Sequence, residues 1–387
     1  MPVYHRQGEL PNPKHTAFRA ADGERLYREE LFSTKGFAGI YSTKYHLRLP
    51  PQVERIEERA GAVVEPWPEA PHQYVHFLTE HDAGGGSFLS GRRWFLRNDH
   101  VAVGAIYPTE PTVAFYRNAR AHELIFVHRG SGRLRSEFGR LDFGPGDYLV
   151  CPKGSTYHLD FDGWQDNKCL VVESGEPFDI PRHYRNDYGQ LLEHAPYSER
   201  DLRAPVLEPP RDEDGAFVLV LKVGERWFHY TLPHHPFDVV GWDGYVYPYA
   251  FNIRSFNPAV GRVHLPPPVH LVWATPHLAI CNFVPRLYDF HPDAIPAPYF
   301  HSNVDSDEVI YYVEGEFMSR KGIEQGSITL HPMGIPHGPQ PGRTEDSIGR
   351  KDTREYAVMI DTFEPLELTR EVERRLDPGY PRSWLEE

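Results

Sequence analysis

The residues best suited to do chemistry lie in the C-terminal third of the chain. His301 and Asn303 stand two apart, Glu308 follows after four intervening residues, and His337 completes the set. Gly315 and Gly326 punctuate the interval, and Pro332-Met333-Gly334 precedes His337 by two residues. On a strand, residues two apart face the same side, so His301 and Asn303 point together. Glu308 then comes from the same hairpin and His337 from a neighbouring strand, aimed by the Pro332–Gly334 turn. Two imidazoles and one carboxylate on one face of an ion form the facial donor set of non-haem Fe(II), with positions left open for substrate and O2. Asn303 stands where a fourth donor would fit. It either opens one more position or hydrogen-bonds a substrate hydroxyl. A lone buried histidine is usually a satisfied core residue; three donors at this joint spacing, flanked by these turn residues, point to a metal.

The elements that must hold these residues are short strands joined by tight turns. The same turn grammar occurs twice: Glu123, six residues, Gly130, then Gly146, five residues, Pro152-Lys153-Gly154; and Glu308, six residues, Gly315, then Gly326, five residues, Pro332-Met333-Gly334. An internal repeat of this kind outweighs any single motif. In the first copy the donor positions read Tyr116, Asn118, Glu123 and Tyr157, with His158 displaced by one and so turned to the opposite face. The first copy keeps the fold and loses the ligands, while His122 and His128 read as surface or satisfied core residues. These two motifs resemble those of the cupin superfamily. The resemblance implies an all-β bicupin, two tandem double-stranded β-helix (jelly-roll) barrels.

Composition agrees with that class. The chain has 387 residues, 37 prolines and 32 glycines, and 13% aromatics, the profile of many short strands between turns. Such a length favours more than one core. The net charge of −14 comes with no basic run, so no nucleic-acid partner is expected. Cys151, Cys169 and Cys281 form neither a disulfide framework nor a metal cluster, which fits a reducing compartment. No stretch is long and apolar enough for a membrane span, and the N-terminus lacks a signal peptide's apolar core, so a cytoplasmic location and no membrane partner are expected. The expected division is an irregular N-terminal arm at 1–70, a degenerate cupin barrel at 71–180, a connector with wrapping strands at 181–245, a metal-binding barrel at 246–365, and a C-terminal helix and tail at 366–387. The helix is read from Leu368, Val372 and Leu376, which share one face over about 366–376.

Over nearly its whole length the chain also resembles the homogentisate 1,2-dioxygenase family, in its shorter bacterial form. The similar pieces include Tyr184-Arg-Asn-Asp-Tyr-Gly-Gln-Leu-Leu-Glu193, Gly261-Arg-Val-His-Leu-Pro-Pro-Pro-Val-His270, Tyr299-Phe-His-Ser-Asn303, His331-Pro-Met-Gly-Ile-Pro-His-Gly-Pro339 and Asp361-Thr-Phe-Glu-Pro-Leu366. The resemblance implies one Fe(II) in the C-terminal barrel, held by His301, Glu308 and His337. It also implies ring opening of homogentisate to maleylacetoacetate, or of a related hydroquinone or gentisate-type acid, with O2 as co-substrate. His264 is then the residue that takes the phenol proton, a task that suits an imidazole near neutral pH. His331 is a second catalytic-site histidine, a polar contact to a ligand or to the bound oxygen. Asn303, Phe317 and His270 fall on the substrate side, and Arg286 or Arg254 meets the substrate carboxylate. Tyr299 and Phe300 read as barrel wall.

The chain departs from the family pattern in two places. The interval from His301 to Glu308 is one residue longer, and Phe317 stands where the family has a tyrosine. Losing a phenolic hydrogen-bond partner can change discrimination strongly, which leaves the ring substituents open. Two other readings stand beside this one: a different metal-dependent cupin, an isomerase or oxidase, and a non-catalytic bicupin that binds a ligand. The fold also suggests a homo-oligomer, with the N-terminal arm wrapping a neighbour.

Overall fold

A computed structural model describes residues 3–80, 84–317 and 320–385. Nearly all its regular structure is β; among the described residues the two α-helices span only Arg343–Ser347 and Arg370–Glu373. No helix among the described residues is long and apolar enough to cross a membrane.

Two seven-stranded sheets enclose the first barrel. One runs in the order Gly139–Phe143, Gly132–Ser136, Thr156–Phe161, Phe115–Asn118, Asp214–Val223, Arg226–His234, Arg55–Arg59. The other runs Tyr249–Asn252, Asp147–Cys151, His122–Arg129, Lys168–Ser174, Val101–Ile106, Arg92–Arg97, Glu367–Leu368. The second barrel is built on a six-stranded sheet: Leu271–Ala274, Leu278–Phe283, Tyr356–Thr362, Asp307–Glu314, Ser327–His331, Val75–Leu78.

Alternation along the strands explains how the barrels join. In the second seven-stranded sheet, Ile125, Val127, Leu149, Cys169 and Val171 face the core of the first barrel. Their sequence neighbours Leu124, Phe126, Tyr148, Leu170 and Val172 face a second, larger core. That larger core continues through Val309, Tyr311, Ile328, Leu330, Val358 and Ile360 of the six-stranded sheet. Because side chains alternate faces, these strands must be apolar throughout, and they are buried on both sides. The six-stranded sheet spends one face on the joint and turns the other, with Glu308, Ile310, Tyr312, Met359 and Asp361, toward its own barrel interior.

The repeated turns adopt matching backbones. Gly130 and Gly315 both have positive φ, 97° and 105°, and a Cβ on Gly315 would meet the Arg354 carbonyl oxygen at 2.7 Å. Only glycine meets both demands.

Several expectations are corrected. The N-terminal segment is not irregular: His5–Gly8, Arg28–Ser33 and Tyr41–His46 form a four-stranded sheet with Val239–Gly244. Its partner strand lies some two hundred residues away, so no local pattern announces the pairing. Val75–Leu78, expected in the first barrel, pairs with Ser327–His331 of the second. Tyr249–Asn252, expected in the second, pairs with Asp147–Cys151 of the first. The C-terminal helix shrinks to Arg370–Glu373. Leu368 belongs to a strand paired with Arg92–Arg97, and pairing there competes successfully with helical spacing. Leu368 and Val372 are nonetheless both buried, as the shared face requires.

Candidate metal centre

The strand Asp307–Glu314 carries Glu308 inward, and Glu308 pairs in register with His331 on one side and Asp361 on the other. His301 and His337 lie on the facing wall, where they form an isolated antiparallel bridge closed by two backbone hydrogen bonds of 2.9 and 2.8 Å. The bridge sets the two imidazoles side by side, with ring centroids 4.3 Å apart. His301 Nε2 lies 3.5 Å from Glu308 Oε2, and His337 Nε2 lies 3.5 Å from Glu308 Oε1. One donor atom from each of the three falls within 4.8 Å of the others.

The donors suit a divalent metal. The Nδ1 of His301 lies 3.2 Å from the Tyr299 carbonyl oxygen, and that of His337 lies 3.2 Å from the Ile335 carbonyl oxygen. Donation by Nδ1–H to these carbonyls leaves each Nε2 lone pair turned to the shared centre, the arrangement that orients metal-binding histidines. His337 Nε2 is sealed from solvent and has no hydrogen-bond partner among the described residues. Ligands about 2.1 Å from one ion at right angles stand about 3 Å apart, so the 3.5 Å contacts need to tighten only slightly.

Electrostatics keep the carboxylate ready. Burial opposes ionisation of Glu308, but the three imidazoles packed around it, His301, His331 and His337, outweigh it and hold the carboxyl well below the usual range. His331 is fully buried, with Nδ1 2.7 Å from Glu308 Oε1 and Nε2 3.0 Å from the Tyr380 hydroxyl. Burial lowers its pKa to about 4, so it donates to Glu308 as a neutral imidazole. It does not line the cavity. Of the two contacts expected of His331, to a ligand or to the bound oxygen, the first matches its position beside Glu308: Glu308 and Tyr380 take up both ring nitrogens.

A cavity of about 470 Å³ opens from His301 and Glu308 toward solvent. His264, His270, Asn303, Phe317 and Arg286 all line it. The His264 side chain is 53% exposed at the mouth, 3.6 Å from Asp289. Its ring packs edge-on against Tyr299, which with Phe300 is exposed at the entrance rather than set in the barrel wall. His270 is buried against Phe283, with Nδ1 unpartnered among the described residues, and burial lowers its pKa to about 3. Phe317 packs edge-on against Tyr312 at 4.6 Å. Of the two arginine candidates only Arg286 reaches the cavity; Arg254 is drawn away by Glu314 at 2.8 Å and Tyr356.

Two residues escaped the sequence reading. Asp361 lines the cavity beside Glu308; burial and the Glu308 charge raise its pKa to about 8. Arg320 is buried in the same wall and donates to the Gly338 carbonyl at 2.5 Å. Asp361 lay inside one of the family-like segments, so a signal existed; nothing local marked Arg320.

The first barrel shows what stands at the matching positions there. Tyr116 and Tyr157 pair in register, as His301 and His337 do. Glu123 receives Tyr157 at 2.5 Å, Tyr116 at 3.2 Å and Arg92 at 2.6 Å. A guanidinium supplies the positive charge there. His158 points away, to Asp160 at 2.9 Å, as its displacement by one requires.

Known proteins resemble this chain in sequence. The family model described as "Homogentisate 1,2-dioxygenase N-terminal" matches residues 102–253. A protein of Saccharolobus solfataricus named "Putative dioxygenase" is 40% identical over 387 residues, 99% of each chain. A homogentisate 1,2-dioxygenase of Rhodopseudomonas palustris is 30% identical over 364 residues, 86% of this chain and 78% of that one. Among solved structures, a cupin barrel protein from Leptotrichia buccalis aligns with a TM-score of 0.32 and 10% identity, over 70% of this chain and 88% of that one. With its all-β fold and these relatives, the chain belongs to the homogentisate 1,2-dioxygenase family, and it is a dioxygenase that acts on a small molecule with O2.

Proposed function

We propose that the chain is an Fe(II)-dependent ring-cleaving dioxygenase acting on homogentisate or a closely related hydroquinone acid. The observation that carries the reading is the cluster of His301, Glu308 and His337, two of which, His301 and Glu308, line a cavity that also holds a cation, Arg286, and a partly exposed imidazole, His264. These three residues would hold the iron, which when bound supplies the open positions and electron transfer that let an aromatic ring react with O2. The remaining work falls to the protein. Arg286 binds the substrate carboxylate and so fixes which ring edge faces the donors. His264 accepts the phenol proton, with Asp289 3.6 Å away to hold the resulting charge. Asn303 hydrogen-bonds a ring hydroxyl. Phe317 and His270 close the apolar side of the cavity, and His270 stays neutral there because burial disfavours its charge. His331 holds Glu308 in place.

Assembly of identical chains belongs to the same reading, supported by exposed apolar side chains such as Phe37, Val63 and Val113. Light scattering tests it.

The decisive experiment is anaerobic loading with Fe(II), then O2 uptake with homogentisate, gentisate and simple hydroquinones while following the ring-opened chromophore. Uptake with homogentisate, lost in Glu308→Ala, is the expected result. Uptake with another hydroquinone alone keeps the mechanism and moves the substrate. No uptake with any of them, despite one tightly held metal per chain, refutes the proposal.

A further inference from the structure

A second group of donors lies outside that cavity. His100, His277 and Glu364 each offer an atom within 4.8 Å of the other two. His100 Nε2 is 3.5 Å from Glu364 Oε2, and His277 Nδ1 is 4.0 Å from Glu364 Oε1. The two imidazoles stack face to face, with centroids 3.7 Å apart and planes within 6°. None of the three lines the cavity of the first centre.

Their backbones are tied together, so the convergence is built in. The Asn98 side chain accepts from the His100 and Val101 amides at 2.9 and 2.8 Å and donates to the Glu364 carbonyl at 3.1 Å. The His277 carbonyl accepts from the Phe363 amide at 3.0 Å, and the His277 amide donates to Thr275 at 3.0 Å. The Gly175 amide donates to the His100 carbonyl at 3.0 Å. Three loops are thus held in register, while no ring nitrogen of His100 or His277 has a hydrogen-bond partner closer than Glu364 among the described residues.

We propose that His100, His277 and Glu364 form a second site, for an exchangeable divalent cation of the zinc class. Two imidazoles and a carboxylate favour Zn²⁺ over Mg²⁺ or Ca²⁺, which prefer all-oxygen shells. The side chains are 39%, 24% and 45% exposed. Each ring can therefore turn about its Cβ–Cγ bond to aim a lone pair at a shared ion, and water completes the coordination. His100 precedes Val101–Ile106 of the first barrel, whereas His277 and Glu364 flank Leu278–Phe283 and Tyr356–Thr362 of the second. A bound ion clamps the two barrels together at one edge of their joint.

The test uses the full chain with the first centre disabled. His337→Ala, with Glu308→Gln as a substitute if that variant does not fold, is equilibrated with Zn²⁺, freed of excess ion and assayed for metal. One zinc per chain is expected, together with a zinc-induced rise in melting temperature. Adding His277→Ala, or in its place Glu364→Gln, should abolish both. His277→Ala alone, loaded with Fe(II), should keep wild-type O2 uptake. Zinc binding that survives both second substitutions, or no zinc on the His337→Ala chain, overturns the proposal.

Discussion

Replacing His331 with leucine removes the residue that holds Glu308 while leaving all three metal donors in place. The lost contact is a hydrogen bond of 2.7 Å to an ionised carboxylate in a fully buried setting. Hydrogen bonds to charged groups contribute about 1.5–3 kcal/mol. Loss of a residue that orients a metal ligand weakens metal binding by about 10–100-fold, or about 1.4–2.8 kcal/mol. The two magnitudes overlap, so we expect His331→Leu to bind Fe(II) about 10–100-fold more weakly. Tyr380 also loses its partner at 3.0 Å, which adds a stability loss of about 1 kcal/mol. A chelator-competition titration measures affinity, and O2 uptake at saturating Fe(II) measures turnover. Weak metal binding with turnover largely restored at saturation is the expected outcome. Wild-type metal affinity would refute the positioning role. Wild-type affinity with turnover lost at saturation would return His331 to the chemical step.

Arg286→Met should raise the substrate KM about 10–100-fold with a smaller effect on kcat, since it removes a charge-assisted contact. Arg254→Met, which removes a residue outside the cavity, should leave KM unchanged; equal effects in the two variants would sink the assignment. In the first barrel, Arg92→Met should destabilise by about 3–5 kcal/mol, because Glu123 and Glu173 are left buried with less countercharge. Urea unfolding checks this, and a loss below about 1 kcal/mol would show that the guanidinium is not the replacement charge inferred here. Acid should also act through histidines. Burial holds His122, His128 and His270 near a pKa of about 3, against 6.5 when exposed. Between those values the unfolded chain binds more protons, so stability falls as pH drops from about 6.5 toward 3. Urea midpoints of metal-free protein at pH 7 and pH 5 should show a marked decrease, and an unchanged midpoint would contradict the burial argument.

The convergence of His301, Glu308 and His337, the candidate metal donors, was legible in sequence because turns place them. Gly315, Gly326 and the Pro332–Gly334 turn set the register of two adjacent strands, and register is a local property of turn chemistry. The same logic marked Tyr116 and Tyr157 as the degenerate counterparts, and the structure pairs them. Residues brought in by distant strands were not legible. Asp361 reaches Glu308 through pairing across some fifty residues, and Tyr380 reaches His331 from the C-terminal tail. The N-terminal strands were missed for the same reason, since Tyr41–His46 is fixed by Val239–Gly244 rather than by its own pattern. The helix near Val372 was overstated because a shared apolar face at helical spacing is also compatible with a strand end followed by one turn. For His331 two tasks stayed open in the sequence, because strand alternation gives a face and not a partner; the structure sets it against Glu308 and Tyr380.

The exchange of Val75–Leu78 into the far sheet, with Tyr249–Asn252 crossing the other way, bears on how this protein can change. A barrel that has lost its ligands would ordinarily be free to drift or to be deleted. Here its wall backs the sheet that carries Glu308, and each half borrows a strand from the other. The first half thus also serves as scaffolding for the second. No cut between residues 79 and 248 separates a fragment with every strand of the six-stranded sheet from one with every strand of the seven-stranded pair. Truncation to the metal-binding half would expose the apolar face of Val309, Tyr311 and Ile360, and the product would aggregate rather than work as a minimal enzyme.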